Sequence, residues 1–451
     1  MKYNFSKIIL ITIILFLIPL YLRISNDKPI IAGDQAYELL LKESTNPYST
    51  IINTLFKNNK EVISIIISFI LGISSITILY LLLKDFNVGE IDTFYILLCF
   101  TLSPIFVSLI YLPNYKILLI FLYLLFIYLF SRPNSLFSDL LNSILLLIIS
   151  LFGITHLIFI IITTIVAKAT LKEEINNRKF FYLLSIIFIM FSIYYNVKNL
   201  DYQYNELVEI NHIKEFISDF GSSFGFSIFN VLLSFLGIVL LWSHKKKYYL
   251  LYSMLILTAI FSVFNKELII YSNIVLSIFA GIGFSFFVKS KWQLDILKKT
   301  TLILLFCSLL FSSLSYAIEL GRTGPDKETK EMLKWLGTIS NKEDVILSHY
   351  SNGFWIEYYA KRKSLLNSNL NKKGIKNIYD DYQELLYSYN LDRIKELLDK
   401  YEIRYIIITK EMKEGLVWDG NEEGLNFMIR NTEIFKNIYK SNSTIIVRYK
   451  K

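Results

Sequence analysis

The first place where this sequence could do chemistry is an acidic side chain set among small and apolar neighbours. Residues Ile30-Ile31-Ala32-Gly33-Asp34-Gln35-Ala36-Tyr37 begin shortly after the first long apolar run, Ile8 to Leu22, has ended. Gly33 permits a tight backbone path immediately before the carboxylate, and Tyr37 and Leu40 then return on one helical face. A carboxylate held there can take the proton of an incoming hydroxyl as a general base. An exposed Asp34 capping a helix that starts at Gln35 is the competing reading, and the pattern alone leaves both open. His156, His212, His244 and His349 stand in separate segments without metal-ligand spacing. Cys99 and Cys307 both lie inside apolar runs, which supports neither a disulfide framework nor a thiolate site. With no glycine-rich phosphate loop, a nucleotide-sugar donor or an ATP-driven mechanism has no sequence support.

The elements that must position Asp34 are membrane helices. Of 451 residues, 54% are hydrophobic, and the mean hydropathy is +0.46, beyond what a soluble domain carries. Apolar runs recur at Ile8 to Leu22, Val62 to Leu83, Ile91 to Leu112, Tyr115 to Phe130, Leu136 to Phe152 and Ile154 to Ala167. They continue at Phe180 to Tyr195, Phe226 to Trp242, Tyr248 to Phe264, Leu268 to Val288 and Thr300 to Ile318. This predicts a polytopic α-helical membrane protein with about eleven transmembrane helices. The stretch Leu136 to Ala167 is split only at Gly153; were it a single span, every later orientation would invert.

Charge decides the orientation. With a cytoplasmic N-terminus, Lys84, Arg132, the Lys168/Lys172/Arg178/Lys179 loop, Lys245 to Lys247 and the Lys289/Lys291/Lys298/Lys299 loop all fall inside. The formal net charge of +9 is thus a membrane-border feature, and it gives no reason to invoke nucleic acid as a partner. The segment Arg23 to Glu61, the turn at Pro113, the segment Asn196 to Gly225 and everything after Glu319 fall outside. There the composition changes: Gly321, Gly324 and Pro325 mark a boundary, and helix-period and strand-like segments alternate beyond it. Helices are expected at Lys327 to Leu336, Phe354 to Lys361 and Asn390 to Tyr401, and strands at Asp344 to Ser348, Arg404 to Thr409 and Thr444 to Tyr449. The chain divides into a transmembrane domain, 1–319, and a small extracytoplasmic α/β domain, 320–451. Asn442-Ser443-Thr444 forms an acceptor sequon on the predicted outer face.

A first helix, an outer loop carrying Gly33-Asp34-x-x-Tyr37, many spans and an external α/β domain together resemble the GT-C superfamily of membrane glycosyltransferases. That group includes the dolichyl-phosphate-mannose protein mannosyltransferases and the catalytic subunit of oligosaccharyltransferase. Ser103-Pro104 with Ile117 to Phe130 resembles the superfamily's third and fourth spans, and Thr155-His156 a Thr-His found there. In the tail, Met332 to Leu336, Asp344 to Ser348, Asn352 to Ile356 and Leu398 to Ile407 are similar to the outer domains of archaeal and bacterial members.

The resemblance implies an inverting transfer of a sugar from a polyprenyl-phosphate donor to a lipid, glycan or protein acceptor at the outer membrane face, with Asp34 as base. It implies a cation for the leaving phosphate. Lys266 in Asn265-Lys266-Glu267 is the first candidate, Lys116 the second and Arg322 the third. A snorkelling Lys266 paired with Glu267, and Lys116 as an interfacial anchor, are the structural alternatives. Tyr37 and His156 become candidate sugar or acceptor contacts, with a carbonyl-satisfied histidine as the alternative for His156.

Two departures stand out. Many relatives carry a second acid near the first, whereas Gln35 follows Asp34 here and the Pro113 turn has no carboxylate; this puts a divalent-cation mechanism in doubt. Glu206, Glu209 and Glu215 in the Asn196 to Gly225 segment could supply that acid, or lie on a solvated amphipathic helix. The Trp-Trp-Asp-Tyr-Gly signature of oligosaccharyltransferases is replaced by His349-Tyr350-Ser351-Asn352-Gly353, which favours transfer of single sugars. A flippase or transporter, or an inactive scaffold, are the competing classes. A transporter would be expected to hide charges at mid-membrane, and these spans hold almost none.

Overall fold

The computed structural model describes residues 5–41, 47–56, 59–132, 135–170, 181, 184–190, 193–194, 217–218, 221, 224–370, 375–419, 423–441 and 443–450, without the side chains of 168–170, 264 and 266. The apolar part is a helix bundle: α1 Phe5–Ser25, α4 Lys60–Asp85, α5 Glu90–Thr101, α6 Pro104–Tyr111, α7 Tyr115–Phe130, α8 Leu136–Ser150 and α9 Ile154–Thr170 come first. The loop after α1 holds the short α2 Gln35–Glu38 and α3 Pro47–Leu55. Then follow α10 Ile228–Trp242, α11 Tyr249–Phe264, α12 Ile269–Lys289 and α13 Asp295–Arg322.

Among the described residues four helices, α1, α4, α12 and α13, are long and apolar enough to cross a bilayer. The pair α5–α6, bent by 65°, makes a fifth if it is one span, and α7 to α11 are shorter apolar helices. The bend falls at Ser103-Pro104, where Pro104 opens α6 without needing a donor for its missing N–H. The long run after Leu136 is broken: Gly153 sits at φ +147°, a conformation that L side chains rarely adopt, and it separates α8 from α9. Phe180 to Tyr195 lies partly outside the described residues.

The connections sort to two ends. At one end Arg132 pairs with Asp85 at 3.0 Å and Lys289 with Asp92 at 2.5 Å. At the other end lie the Asp34 loop, the α6–α7 turn, the α8–α9 break and the α11–α12 turn, joined by contacts described below.

Small residues set the central packing. A Cβ on Gly281 of α12 would stand 2.3 Å from the Cα of Ile96 in α5, and one on Gly237 of α10 would stand 2.0 Å from the Phe279 carbonyl. Such backbone contact is how helices associate where lipid removes the hydrophobic drive. Gly281→Val should therefore force α5 and α12 apart at a cost of about 1–3 kcal/mol. A melting temperature in detergent equal to wild type would refute this; Gly89→Ala, whose nearest contact is 3.4 Å, is the control.

After α13 the chain enters α14, Lys327–Ile339, whose first turn is capped by Asp326 accepting from Thr329 N–H at 2.6 Å. Beside a two-stranded pair, β1 Ile217–Ser218 and β2 Phe226–Ser227, there is a five-stranded sheet. Its strands are β3 Val345–Leu347, β4 Lys363–Ser364, β5 Ile403–Thr409, β6 Phe435–Lys440 and β7 Thr444–Tyr449, in the order β4-β3-β5-β7-β6. The β4, β3 and β5 contacts are parallel; β7 is antiparallel to β5 and to β6.

Strand alternation gives the sheet two apolar faces. Ile406, Ile408 and Val447 pack with helices Ile375–Tyr387, Leu391–Lys400 and Gly424–Asn431. Tyr405, Ile407 and Ile446 face α14 and the turn Gly353–Ala360, in a core continuous with the helix bundle. The sheet domain is thus seated on the bundle at the Asp34 end.

Candidate active site

Asp34 is buried, 7% exposed, and precedes α2 in helical conformation without capping it. The exposed-cap reading is replaced by a different one, because the carboxylate turns toward the sheet domain. Its Oδ1 accepts the Trp355 N–H at 3.0 Å, at the start of the helical segment Gly353–Ala360, and its Oδ2 accepts the Ser368 hydroxyl at 2.6 Å. The segment that the resemblance aligns with the oligosaccharyltransferase signature, His349 to Gly353, leads directly into this helix start.

Burial dominates the carboxyl's acidity and pushes its pKa up to about 8, against the pull of the bonds from Ser368, Trp355 and Phe354. In this closed arrangement Asp34 therefore keeps its proton at neutral pH, and once ionised it is a stronger base than an ordinary carboxylate. His349 goes the other way: burial lowers it to about 4, so it is neutral, with Nδ1 2.7 Å from the Ser351 hydroxyl.

The loop bearing Asp34 is held by Arg23, which is fully buried at the end of α1. Its guanidinium donates to the carbonyls of Pro29 at 2.5 Å, Ile31 at 2.8 Å, Leu320 at 3.2 Å, Thr323 at 2.5 Å and Pro325 at 3.3 Å. Gly33 N–H adds a bond to Gly324 O at 3.0 Å, and Tyr111 OH one to Ile30 O at 2.6 Å. The sequence reading passed over Arg23; the available signal was an arginine at the last turn of an apolar helix, just ahead of a proline-containing loop.

The other expected residues are distributed as follows. Tyr37, expected as a substrate contact, is fully buried between the Tyr358 and Tyr359 rings, with its hydroxyl 2.8 Å from that of Tyr359. Tyr359 in turn reaches Glu61 Oε1 at 3.4 Å, so Tyr37 fastens the sheet domain to the loop and offers nothing to a ligand in this arrangement. His156 is fully buried and faces Tyr271 OH at 3.2 Å and Glu267 Oε2 at 3.5 Å. Arg322 has an exposed side chain at the end of α13, and its carbonyl accepts Lys28 Nζ. Lys266 lies in the turn Lys266–Leu268, its side chain outside the described residues, as are Glu206, Glu209 and Glu215 entirely.

Glu267 is the acid that the sequence reading did not single out as one. Tyr115 OH donates to its Oε1 at 2.5 Å. Burial would raise its pKa, yet the nearby His156, the charge of Lys116 and the bond from Tyr115 outweigh burial and hold it at about 2. Glu38, one helical turn after Asp34, accepts the Asn369 amide at 3.1 Å. Tyr115 thus links the start of α7 to the turn carrying Glu267, and the neighbouring Lys116 is half-buried.

Both Asp34 oxygens accept hydrogen bonds, and among the described residues no three His, Cys, Asp or Glu side chains converge.

No family model matches the sequence, and neither does any curated protein. Solved structures do match. The Archaeoglobus fulgidus oligosaccharyltransferase tethered with an acceptor peptide superposes with a TM-score of 0.58 at 14% identity, over 100% of this chain and 74% of that one. The archaeal oligosaccharyltransferase AglB from the same organism, in complex with an inhibitory peptide and a dolichol-phosphate, gives 0.54 at 12% identity, over 91% and 70%. ArnT from Cupriavidus metallidurans in the apo state gives 0.52 at 8% identity, over 98% and 97%. The chain has the GT-C fold. Within that fold, the loop after the first helix and the helix start at Gly353 meet at Asp34.

Proposed function

We propose that this chain is a membrane glycosyltransferase that moves a sugar from a polyprenyl-phosphate donor to a hydroxyl acceptor at the outer face of the membrane. The observation that carries the reading is the position of Asp34: a buried carboxyl at the top of a lipid-embedded bundle, roofed by a water-exposed domain. A lipid-linked sugar needs that arrangement, since its tail stays in lipid while its phosphate and sugar reach the surface. The likeness to AglB in complex with a dolichol-phosphate supports it.

In the proposed step the acceptor hydroxyl gives its proton to Asp34 Oδ2 as its oxygen bonds to the anomeric carbon. The bond from that carbon to the phosphate oxygen breaks, and the electron pair leaves with the lipid phosphate. Attack from the face opposite the phosphate inverts the anomeric centre. Lys116 is the phosphate contact that the described geometry supports best, with Lys266 and Arg322 as further candidates. Lys116→Ala should raise the apparent KM for donor about 5- to 10-fold with kcat nearly kept, the loss of one charge-assisted contact; an unchanged donor KM would remove Lys116 from this role.

The orientation belongs to the same proposal: basic loops in the cytoplasm, the sheet domain outside. Reporter fusions after Lys179 and after Lys327 should report inside and outside respectively, and the reverse pair would overturn it. The activity is tested by incubating purified protein with radiolabelled polyprenyl-phosphate sugars and a membrane extract. Label should pass from the donor to a component of the extract, and no transfer from any such donor would overturn the reading.

A further inference from the structure

The hydroxyl that meets Asp34 comes from the protein itself. Ser368 Oγ lies 2.6 Å from Asp34 Oδ2 and 3.5 Å from the Tyr350 carbonyl. Its neighbour Asn369 donates its amide to Glu38 Oε1 at 3.1 Å, so two successive residues engage both acids of one helical turn. The segment is shaped for this. Asn367 Oδ1 accepts the Asn369 N–H at 3.1 Å, Asn367 Nδ2 donates to Glu357 Oε1 at 3.1 Å, and Ser364 donates to the same oxygen at 2.8 Å. Gly353 lets the segment lie close: a Cβ there would stand 2.4 Å from the Leu366 carbonyl. Alongside the segment is a cavity of about 310 Å³ lined by Glu357, Leu366, Asn367, Asn369 and Tyr401, which gives it room to withdraw.

We propose that Ser368 holds the acceptor's place: its hydroxyl donates to Asp34 where a substrate hydroxyl must, and residues 364–369 form an internal stopper that a hydroxyl-bearing acceptor displaces. This rests on Asp34 being the base and on the acceptor being an alcohol, as proposed above. The stopper also keeps water, a competing hydroxyl, from the base. Water in the acceptor's place would give its proton to Asp34, bond through oxygen to the anomeric carbon and release the lipid phosphate with the electron pair, yielding free sugar.

The test uses the full chain in membranes with a radiolabelled polyprenyl-phosphate sugar and water as the acceptor probe. Ser368→Ala should release free sugar about tenfold faster than wild type, the worth of one hydrogen bond to a carboxyl group. Ser368→Thr, which keeps the hydroxyl, should match wild type. Release that is unchanged or slower in Ser368→Ala overturns the stopper, as does mass-spectrometric detection of sugar attached to Ser368 itself. A second readout needs no turnover: an apolar carbodiimide should modify Asp34 several-fold faster in Ser368→Ala, and equal rates overturn the proposal. Faster modification with no sugar turnover in any variant would leave the stopper standing and strike the transferase reading instead.

Discussion

Replacing Asp34 by Asn should lower sugar transfer by about 10²- to 10⁴-fold, the range a positioned general base supplies. The substitution is nearly isosteric, and the Asn oxygen can still accept from Trp355 N–H, so folding and membrane insertion should survive. The pH dependence adds a second signature. The carboxyl is held above its ordinary 3.8, at about 8, chiefly by burial, so the reactive carboxylate is the minor form at neutral pH. Transfer by the wild type should rise about tenfold per pH unit below about 8 and level off above it. The linkage runs the same way. Closing the sheet domain over Asp34 favours the protonated carboxyl, so this contact contributes in full below about pH 4 and its contribution is lost as pH rises through about 8. Initial rates across pH 6 to 9 in wild type and Asp34→Asn would check both points. A flat wild-type profile, or a variant within threefold of wild type, would remove Asp34 from the chemistry.

Arg23→Met should be the most damaging change that touches no substrate. The guanidinium bonds five backbone carbonyls drawn from the Asp34 loop and from the end of α13. Met fills similar volume but leaves those acceptors unpaired in a buried place, at a cost of about 3–5 kcal/mol. Two of the acceptors, Leu320 and Thr323, lie at the C-terminal end of a helix, where a cation is favoured by the helix dipole. Arg23→Lys keeps the charge and loses the fork, so it should fall between Met and wild type. Limited proteolysis of the loop before Asp34, together with a melting curve in detergent, would show the effect. A loop as resistant as wild type in Arg23→Met would mean that the five bonds contribute little.

Much of the architecture was legible because a bilayer imposes a coarse requirement that composition answers directly. Tyr115–Phe130 spans the same residues as the apolar run, and Gly153 breaks the long stretch after Leu136 where the glycine stands. In the sheet region, β5 and β7 lie where β-branched runs predict strands, and the helix Leu391–Lys400 lies inside Asn390 to Tyr401. The strand Phe435–Lys440 and the helices Ile375–Tyr387 and Gly424–Asn431 went unread, although Ile375, Ile378, Tyr382, Leu385 and Leu386 recur at helical spacing.

The candidate site divides in the same way. Local pattern selected Asp34, because a carboxylate after glycine in an outer loop stands out against apolar flanks. That it is buried, that its partners are Trp355 and Ser368 more than three hundred positions later, and that Arg23 holds its loop were decided by tertiary structure alone. Glu267 shows why. In sequence it sits beside Lys266 and looks like half of a surface pair, but in space it meets Tyr115 and His156. Sequence determined which segments lipid would accept and where polar chemistry could surface, because hydropathy and charge act over one helix length. Which distant groups share a proton, a carbonyl or a charge depends on contacts that form only when helices and sheet have packed.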